Sequence, residues 1–202
     1  VAGYNSHLTD ECTNNGSVSV GTLTTTGDLM LGGVIGCCQY TANLTNSGAI
    51  AVGGTYNGRV FVGGAVGYSM TTTDSKNTEC SNSGTITIEK SAEFNKATYI
   101  GGVVGCSKFS ADNCTNSGDI SIAGTYNGQT YIAGNTAWTF ASLKTNKIVG
   151  ANNSGDITIT GDASFKQHGT LPGAYATAIT ASGVNPFIAG CVANSNTALD
   201  NS

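Results

Sequence analysis

Charge is scarce in this chain. Asp, Glu, Lys and Arg make up 10% of its 202 residues, against roughly 25% in ordinary globular domains. Disordered segments combine high charge with few β-branched residues, and this composition is the reverse. Eight basic residues stand against twelve acidic ones, for a net charge of −4. A nucleic-acid partner needs clustered Lys and Arg, so none is expected. Proline is nearly absent, at two residues. No apolar run approaches the roughly 20 residues that span a bilayer, and no signal-peptide pattern is visible. The two histidines, His7 and His168, lie far from any Cys-x-x-Cys pair, which excludes the usual zinc spacing. No metal, cofactor or catalytic set is expected.

What the chain does have is glycine, 29 residues of it, placed in two recurring phrases. One reads Cys-Thr-Asn-Ser-Gly followed by an alternating apolar triplet. Its glycine falls at Gly16, Gly48, Gly84, Gly118 and Gly155, at intervals of 32, 36, 34 and 37 residues. The other reads apolar-Gly-Gly-apolar-apolar-Gly and starts at Leu31, Val62 and Ile100, with weaker copies at Ile132 and Ile188. A period of 20–50 residues is the mark of a stacked array, in which each unit buries its apolar face against its neighbours.

After each glycine the aliphatics alternate: Val18 and Val20, Ile50 and Val52, Ile86 and Ile88, Ile120 and Ile122, Ile157 and Ile159. Period two with small or polar residues between is a strand with one buried face. Stacked in register, these residues form two ladders inside a solenoid. Asn14, Asn46, Asn82, Asn116 and Asn153 precede the glycines and form a structural ladder at a corner, hydrogen-bonded from coil to coil. A second strand carries Val60 and Val62 and their equivalents, its Gly-Gly allowing a tight bend or close backbone approach. A third follows around Val103-Val104-Gly105-Cys106. The expected fold is therefore all-β: a right-handed β-helix-like solenoid of about five coils with parallel sheets. Tyr56-Asn57-Gly58 and Tyr126-Asn127-Gly128 keep an alternative open, because Asn-Gly is a hairpin turn signal. In that alternative each repeat is a stacked antiparallel hairpin.

Residues 1–202 read as a single repeat array. Val1-Ala2-Gly3-Tyr4 aligns with Ala65-Val66-Gly67-Tyr68, and Leu199-Asp200-Asn201-Ser202 with Leu44-Thr45-Asn46-Ser47. Both ends thus fall inside a repeat, and the expectation is a window on a longer repetitive protein; irregular caps made of decayed repeats are the alternative. The fifth repeat carries an insertion at 162–186 with both prolines, Lys166, His168 and Tyr175. Long insertions on a regular scaffold often carry binding function; a structural flap is the competing reading.

The two phrases together resemble the GLUG repeat family of bacterial surface and secreted proteins. The resemblance rests on Gly32-Gly33-Val34-Ile35-Gly36, Gly63-Gly64-Ala65-Val66-Gly67 and Gly101-Gly102-Val103-Val104-Gly105, each followed by its Asn-Ser-Gly. It covers roughly residues 1–160 and departs at Ala133-Gly134-Asn135-Thr136-Ala137. It implies a β-solenoid segment of a large extracellular or cell-surface protein, often adhesive, and no catalytic residue.

Five sets of side chains are weighed as candidate sites. Phe61, Tyr99, Tyr131 and Phe187, with Met30 at the first coil, form a row that alternation turns outward. Exposed planar rings in line suit sugars, unless a loop or neighbouring chain covers them. A second row, Tyr56, Phe94, Tyr126 and Phe165, reads as a shield for the turn. Asp119 and Asp156 share a position on consecutive coils. Paired carboxylates do acid–base work or hold calcium, but Ser17, Ala49 and Thr85 fill the other coils, which favours a solvated pair. Outward Thr-x-Thr occurs in one rung of five, too seldom for an ice-binding array. Cys12, Cys80 and Cys114 share a slot with Leu44 and Ala151, and Cys37 and Cys106 share one with Tyr4, Tyr68 and Trp138. Such substitution describes buried thiols used as small hydrophobes; a Cys80–Cys114 or Cys106–Cys114 bridge is the alternative, with one of seven left unpaired.

The leading expectation is a non-enzymatic structural or adhesive segment of a bacterial surface protein. Its partners are glycans or host-surface proteins, or further copies met end to end or laterally. A carbohydrate-binding module using the aromatic row is the second reading. A polysaccharide lyase or hydrolase is the third; it needs a groove of clustered carboxylates or bases, which eight scattered basic residues do not offer.

Overall fold

A computed structural model describes residues 2–70, 77–108, 110–139, 147–166, 186–195 and 198–200. The chain is a β-solenoid. Every strand pairing among the described residues is parallel, and each joins one coil to the next. The hairpin alternative is not realised. Ile50–Val52 pairs with Val18–Val20 on one side and Ile86–Ile88 on the other, and Val60–Gly63 pairs with Leu29–Gly32 and Thr98–Gly101.

Four sheets run the length of the stack. The Asn sheet contains Thr13–Asn14, Thr45–Asn46, Ser81–Asn82, Thr115–Asn116 and Asn152–Asn153. The aliphatic sheet follows, with Val18–Val20, Ile50–Val52, Ile86–Ile88, Ile120–Tyr126 and Ile157–Phe165 as its main strands. The aromatic sheet contains Leu29–Gly32, Val60–Gly63, Thr98–Gly101, Thr130–Ala133 and Phe187–Ala189. A return sheet closes each coil, through Ile35–Ala42, Val66–Ser69, Val104–Ser107, Thr136–Thr139 and Val192–Ser195, with Ala2–Asp10 at its edge.

Register is set by burial. Ile86 lies opposite Ile120 and Ile88 opposite Ile122, all four buried with Ile50 and Val52 in the main core. Thr87 between them is exposed. A slip of one residue would turn every aliphatic outward, so the hydrophobic pattern holds this pairing. Val60, Val62, Ile100 and Ile132 close the same core from the aromatic sheet. A second core lies behind the return sheet, around Ile35, Val66, Val104, Leu44, Cys80 and Cys114.

The aromatic and return sheets approach through glycine. A side chain at Gly63 would strike the Val66 carbonyl, and one at Gly67 would fall 2.7 Å from the Leu31 nitrogen. The second glycine of the pair does something else. A Cβ on Gly33, Gly64, Gly102 or Gly134 would fall on the carboxamide of Asn46, Asn82, Asn116 or Asn153 respectively. The two sequence phrases are thus two sides of one contact, with the bare backbone of Gly-Gly making room for the Asn ladder.

Each coil also bends through one left-handed residue just before its Cys or Leu slot. These are Glu11, Asn43, Glu79 and Asn113, with φ between 50° and 54°, and Gly150 at 64°. Asn tolerates this region better than most side chains, and Gly fits it best.

Candidate functional site

The Asn ladder is continuous. Asn14 donates through Nδ2 to Asn46 Oδ1 at 2.8 Å, Asn46 to Asn82 at 2.8 Å, Asn82 to Asn116 at 2.9 Å and Asn116 to Asn153 at 2.8 Å. Each Nδ2 also donates to a carbonyl of its own coil, at Gly16, Gly48, Gly84, Gly118 and Gly155. Asn46, Asn82 and Asn116 are buried. A carboxamide suits this place because it donates twice and accepts at once, so a buried polar row is satisfied without charge. A second, shorter ladder runs through Asn57, Asn95 and Asn127 at the turn, with bonds of 2.8 and 2.6 Å.

The row Phe61, Tyr99, Tyr131 and Phe187 is in register, as the sequence implies, but it is buried or half-buried rather than exposed as alternation suggests. Phe61 and Tyr131 are 1% exposed and Tyr99 8%; Phe187 and Met30 are half-buried. The rings stack face on face, Phe61–Tyr99 at 5.0 Å and 3°, Tyr99–Tyr131 at 5.2 Å and 4°, Tyr131–Phe187 at 5.0 Å and 8°. The faces a sugar would need are thus turned to other rings. The return sheet covers the row: Trp138 meets Tyr99 and Tyr131 edge-on and Tyr68 packs on Phe61. Alternation does put the row on the face opposite Val60 and Val62, and the chain then folds its next strand over that face. Burial pushes the phenols of Tyr99 and Tyr131 up, Tyr131 to about 12.

The second row also stacks, Tyr56–Phe94 at 5.5 Å, Phe94–Tyr126 at 4.9 Å and Tyr126–Phe165 at 4.7 Å. It belongs to the main core, and Tyr56 donates its hydroxyl to the Gly53 carbonyl at 2.6 Å.

Asp119 and Asp156 are exposed. Asp119 accepts the backbone N–H of Asp156 at 2.9 Å, so the carboxylate ties two coils together. Among the described residues, no three His, Cys, Asp or Glu side chains gather as a metal site would require.

All seven cysteines are free thiols, five of them buried and Cys12 and Cys191 half-buried. Cys80 and Cys114 face each other across adjacent coils, and Thr41 Oγ1 lies 3.3 Å from Cys80 Sγ. Cys114 points its thiol at the Asp112 carbonyl, 3.5 Å away. Burial raises the Cys38 thiol to about 12. These are small buried side chains, the hydrophobe reading of the slot.

At Ala133-Gly134-Asn135, where the repeat phrase is broken, Asn135 is fully buried. Its Nδ2 donates to the carbonyls of Cys114 at 2.6 Å and Asn152 at 3.0 Å, and Thr136 donates to its Oδ1. A buried amide bracket thus replaces an aliphatic. The insertion at 162–186 is described only at its start and at Pro186. Asp162 pairs with Lys90 at 3.3 Å and Phe165 continues the aromatic stack; His168 and Tyr175 lie outside the described residues.

No protein-family profile matches the chain, and no curated protein or solved structure matches it. No helix is long and apolar enough to cross a membrane among the described residues.

Proposed function

We propose that the chain is a non-enzymatic structural or adhesive segment of a longer bacterial cell-surface or extracellular repeat protein. One observation carries this reading. The side chains that recur from coil to coil, the Asn ladder, the aliphatics and both aromatic rows, are spent on stacking against their own copies. The outward positions change from coil to coil, as at Ser17, Ala49, Thr85, Asp119 and Asp156. A repeated binding or catalytic site would have the opposite pattern. The low charge and the likeness of the glycine phrases to the GLUG family support the extracellular placement. The partner is a glycan or host-surface protein met by the variable outward residues rather than by the aromatic row.

The test has two arms. Antibody to the chain should label intact cells of the source organism, and the purified chain should adhere to host-surface material without turning over acidic or neutral glycans. Labelling only after lysis overturns the surface role. Glycan turnover overturns the non-enzymatic one.

A further inference from the structure

The slot that holds Cys12, Leu44, Cys80, Cys114 and Ala151 carries cysteine on consecutive coils once, at Cys80 and Cys114. We propose that these two form an oxidation site, which a small-molecule disulfide converts to a cross-coil disulfide.

Register places the pair face to face. Thr78 pairs with Asp112 on one side of the slot, and Ser81 with Thr115 on the other. Two backbone bonds hold the coils together at that height. The Glu79 amide donates to the Asp112 carbonyl at 3.0 Å, and the Thr115 amide to the Cys80 carbonyl at 2.9 Å. Neighbouring strands lie about 4.8 Å apart, and disulfides span Cα separations of about 4.4–6.8 Å. Both side chains enter the second core and both are 0% exposed. Their thiols are in hydrogen-bond contact with each other.

The same register keeps the other cysteines apart. Leu44 stands between Cys12 and Cys80 in the slot. Cys37 and Cys106 pair with Tyr68 from opposite sides, so two strand spacings, roughly 9–10 Å, separate them. Cys106 packs in the aromatic cluster, whereas Cys114 lies in the second core. Cys38 shares that core but turns its thiol to the Tyr68 carbonyl at 3.9 Å. Cys191 turns its own to the Ala151 carbonyl at 3.6 Å.

The chemistry is thiol–disulfide exchange. One thiolate of the pair attacks a sulfur of oxidised glutathione, forming a mixed disulfide and releasing one glutathione thiol. The second thiolate attacks the protein sulfur of that mixed disulfide, closing the Cys80–Cys114 bond and releasing the other glutathione. The protein thiols give up two protons and two electrons, and the small disulfide is reduced to two thiols. Both sulfurs are buried, so exchange takes place while the coils are apart, and the closed stack then shields the bond from reductant. As thiols the pair fills its slot in the manner of small hydrophobes. As a disulfide it also closes a loop of one whole coil, which restricts the unfolded chain. This inference is separate from the surface role proposed above, and either can fail without the other.

In the experiment the full chain is held in mixed reduced and oxidised glutathione just below its unfolding midpoint in denaturant, so that coils open and close. The denaturant is then diluted away, free thiols are alkylated, and the protein is digested without reduction for mass spectrometry. Cys80 and Cys114 are expected in one linked peptide pair, with the other cysteines alkylated. The glutathione-treated chain should also unfold at a higher denaturant concentration than the same chain kept in reductant. Cys114→Ala installs the residue that fills the slot at Ala151, and it should show one midpoint in both buffers. Cys80→Ala is the second variant, with the same expected result, should Cys114→Ala fold poorly. Alkylation of all seven cysteines in the treated wild type overturns the proposal, as does a link between any other two of them. So does a redox-dependent midpoint that persists in the folded variants.

Discussion

At the scale of the residue, the informative contact is Gly64 against Asn82. A methyl group on Gly64 would fall on the Gly102 carbonyl and the Asn82 carboxamide at once. Gly64→Ala is therefore expected to destabilise by about 1–3 kcal/mol or more, the cost of overpacking a closed site. Asn82→Ala frees the space but strands the bonds from Asn46 and to Asn116 and Gly84, at about 1–3 kcal/mol per unsatisfied buried group. Combining the two in denaturant unfolding should give less than the sum, since the second change relieves the first; strict additivity would refute the contact. The Asn row itself was legible in the sequence, because its phase with the glycines is constant. Its partner was not. Periodicity gives position along the chain, whereas Gly64 and Asn82 meet across the coil. The left-handed bends at Glu11, Asn43, Glu79 and Asn113 were equally hidden, since only Gly150 marks that position with glycine.

At the scale of the element, each strand is specified by which neighbour covers its two faces. For the aliphatic sheet one face meets the core and the other meets solvent, so the alternation in sequence gave the right answer. Ile86→Ala should cost about 2–5 kcal/mol as a core deletion, and Thr87→Ala under about 0.5 kcal/mol as a surface change. Equal losses in chemical unfolding would contradict the register. For the aromatic sheet both faces are covered, and there alternation misleads: Phe61 and Tyr99 point away from the main core and are buried all the same. Sequence carries no sign of which strand folds back over them, although the paired glycines at 63 and 67 permit that approach. Phenols packed at this contact, Tyr131 on the aromatic sheet and Tyr68 on the return sheet, give it a pH signature. Burial raises Tyr68 and Tyr131 from 10.0 to about 12. The stability tied to their protonated form is full below pH 10. Above it the unfolded chain releases protons that the fold retains, so stability declines as pH climbs from 10 toward 12. Unfolding free energies should fall across that window, tracked by tyrosinate absorbance, and a flat profile would contradict the burial.

At the scale of the whole molecule, stability is a sum of coils and contacts between them. The coil of Ile86 and Ile88 has a neighbour on each side, and both side chains are buried. Among the described residues the strand of Ile157 and Ile159 pairs on one side, and Ile157 is half-buried while Ile159 is exposed. Hydrogen exchange should therefore be slowest at the amides around Ile86 and Ile120 and fastest around Ile159. Uniform protection along the stack would mean that the coils open only together. The array as a whole was legible from the spacing of its glycines, because repetition survives changes of individual residues. The fate of its surface was not, because the outward residues vary and stacking places no demand on them.

The identity of successive interfaces also has a genetic consequence. Because Gly84 sits on Gly48 as Gly48 sits on Gly16, and because the carboxamides repeat with the same sense, a crossover between Gly48 and Gly84 removes one coil and leaves every remaining junction matched. Insertions and losses of whole coils keep the reading of the ladder intact, as do the differences between coils of 32 to 37 residues, while a deletion that takes out part of an Asn-sheet rung breaks it. Copy number is thus the dimension along which a gene for this chain can change most freely, and length the trait on which selection can act without redesigning a single contact.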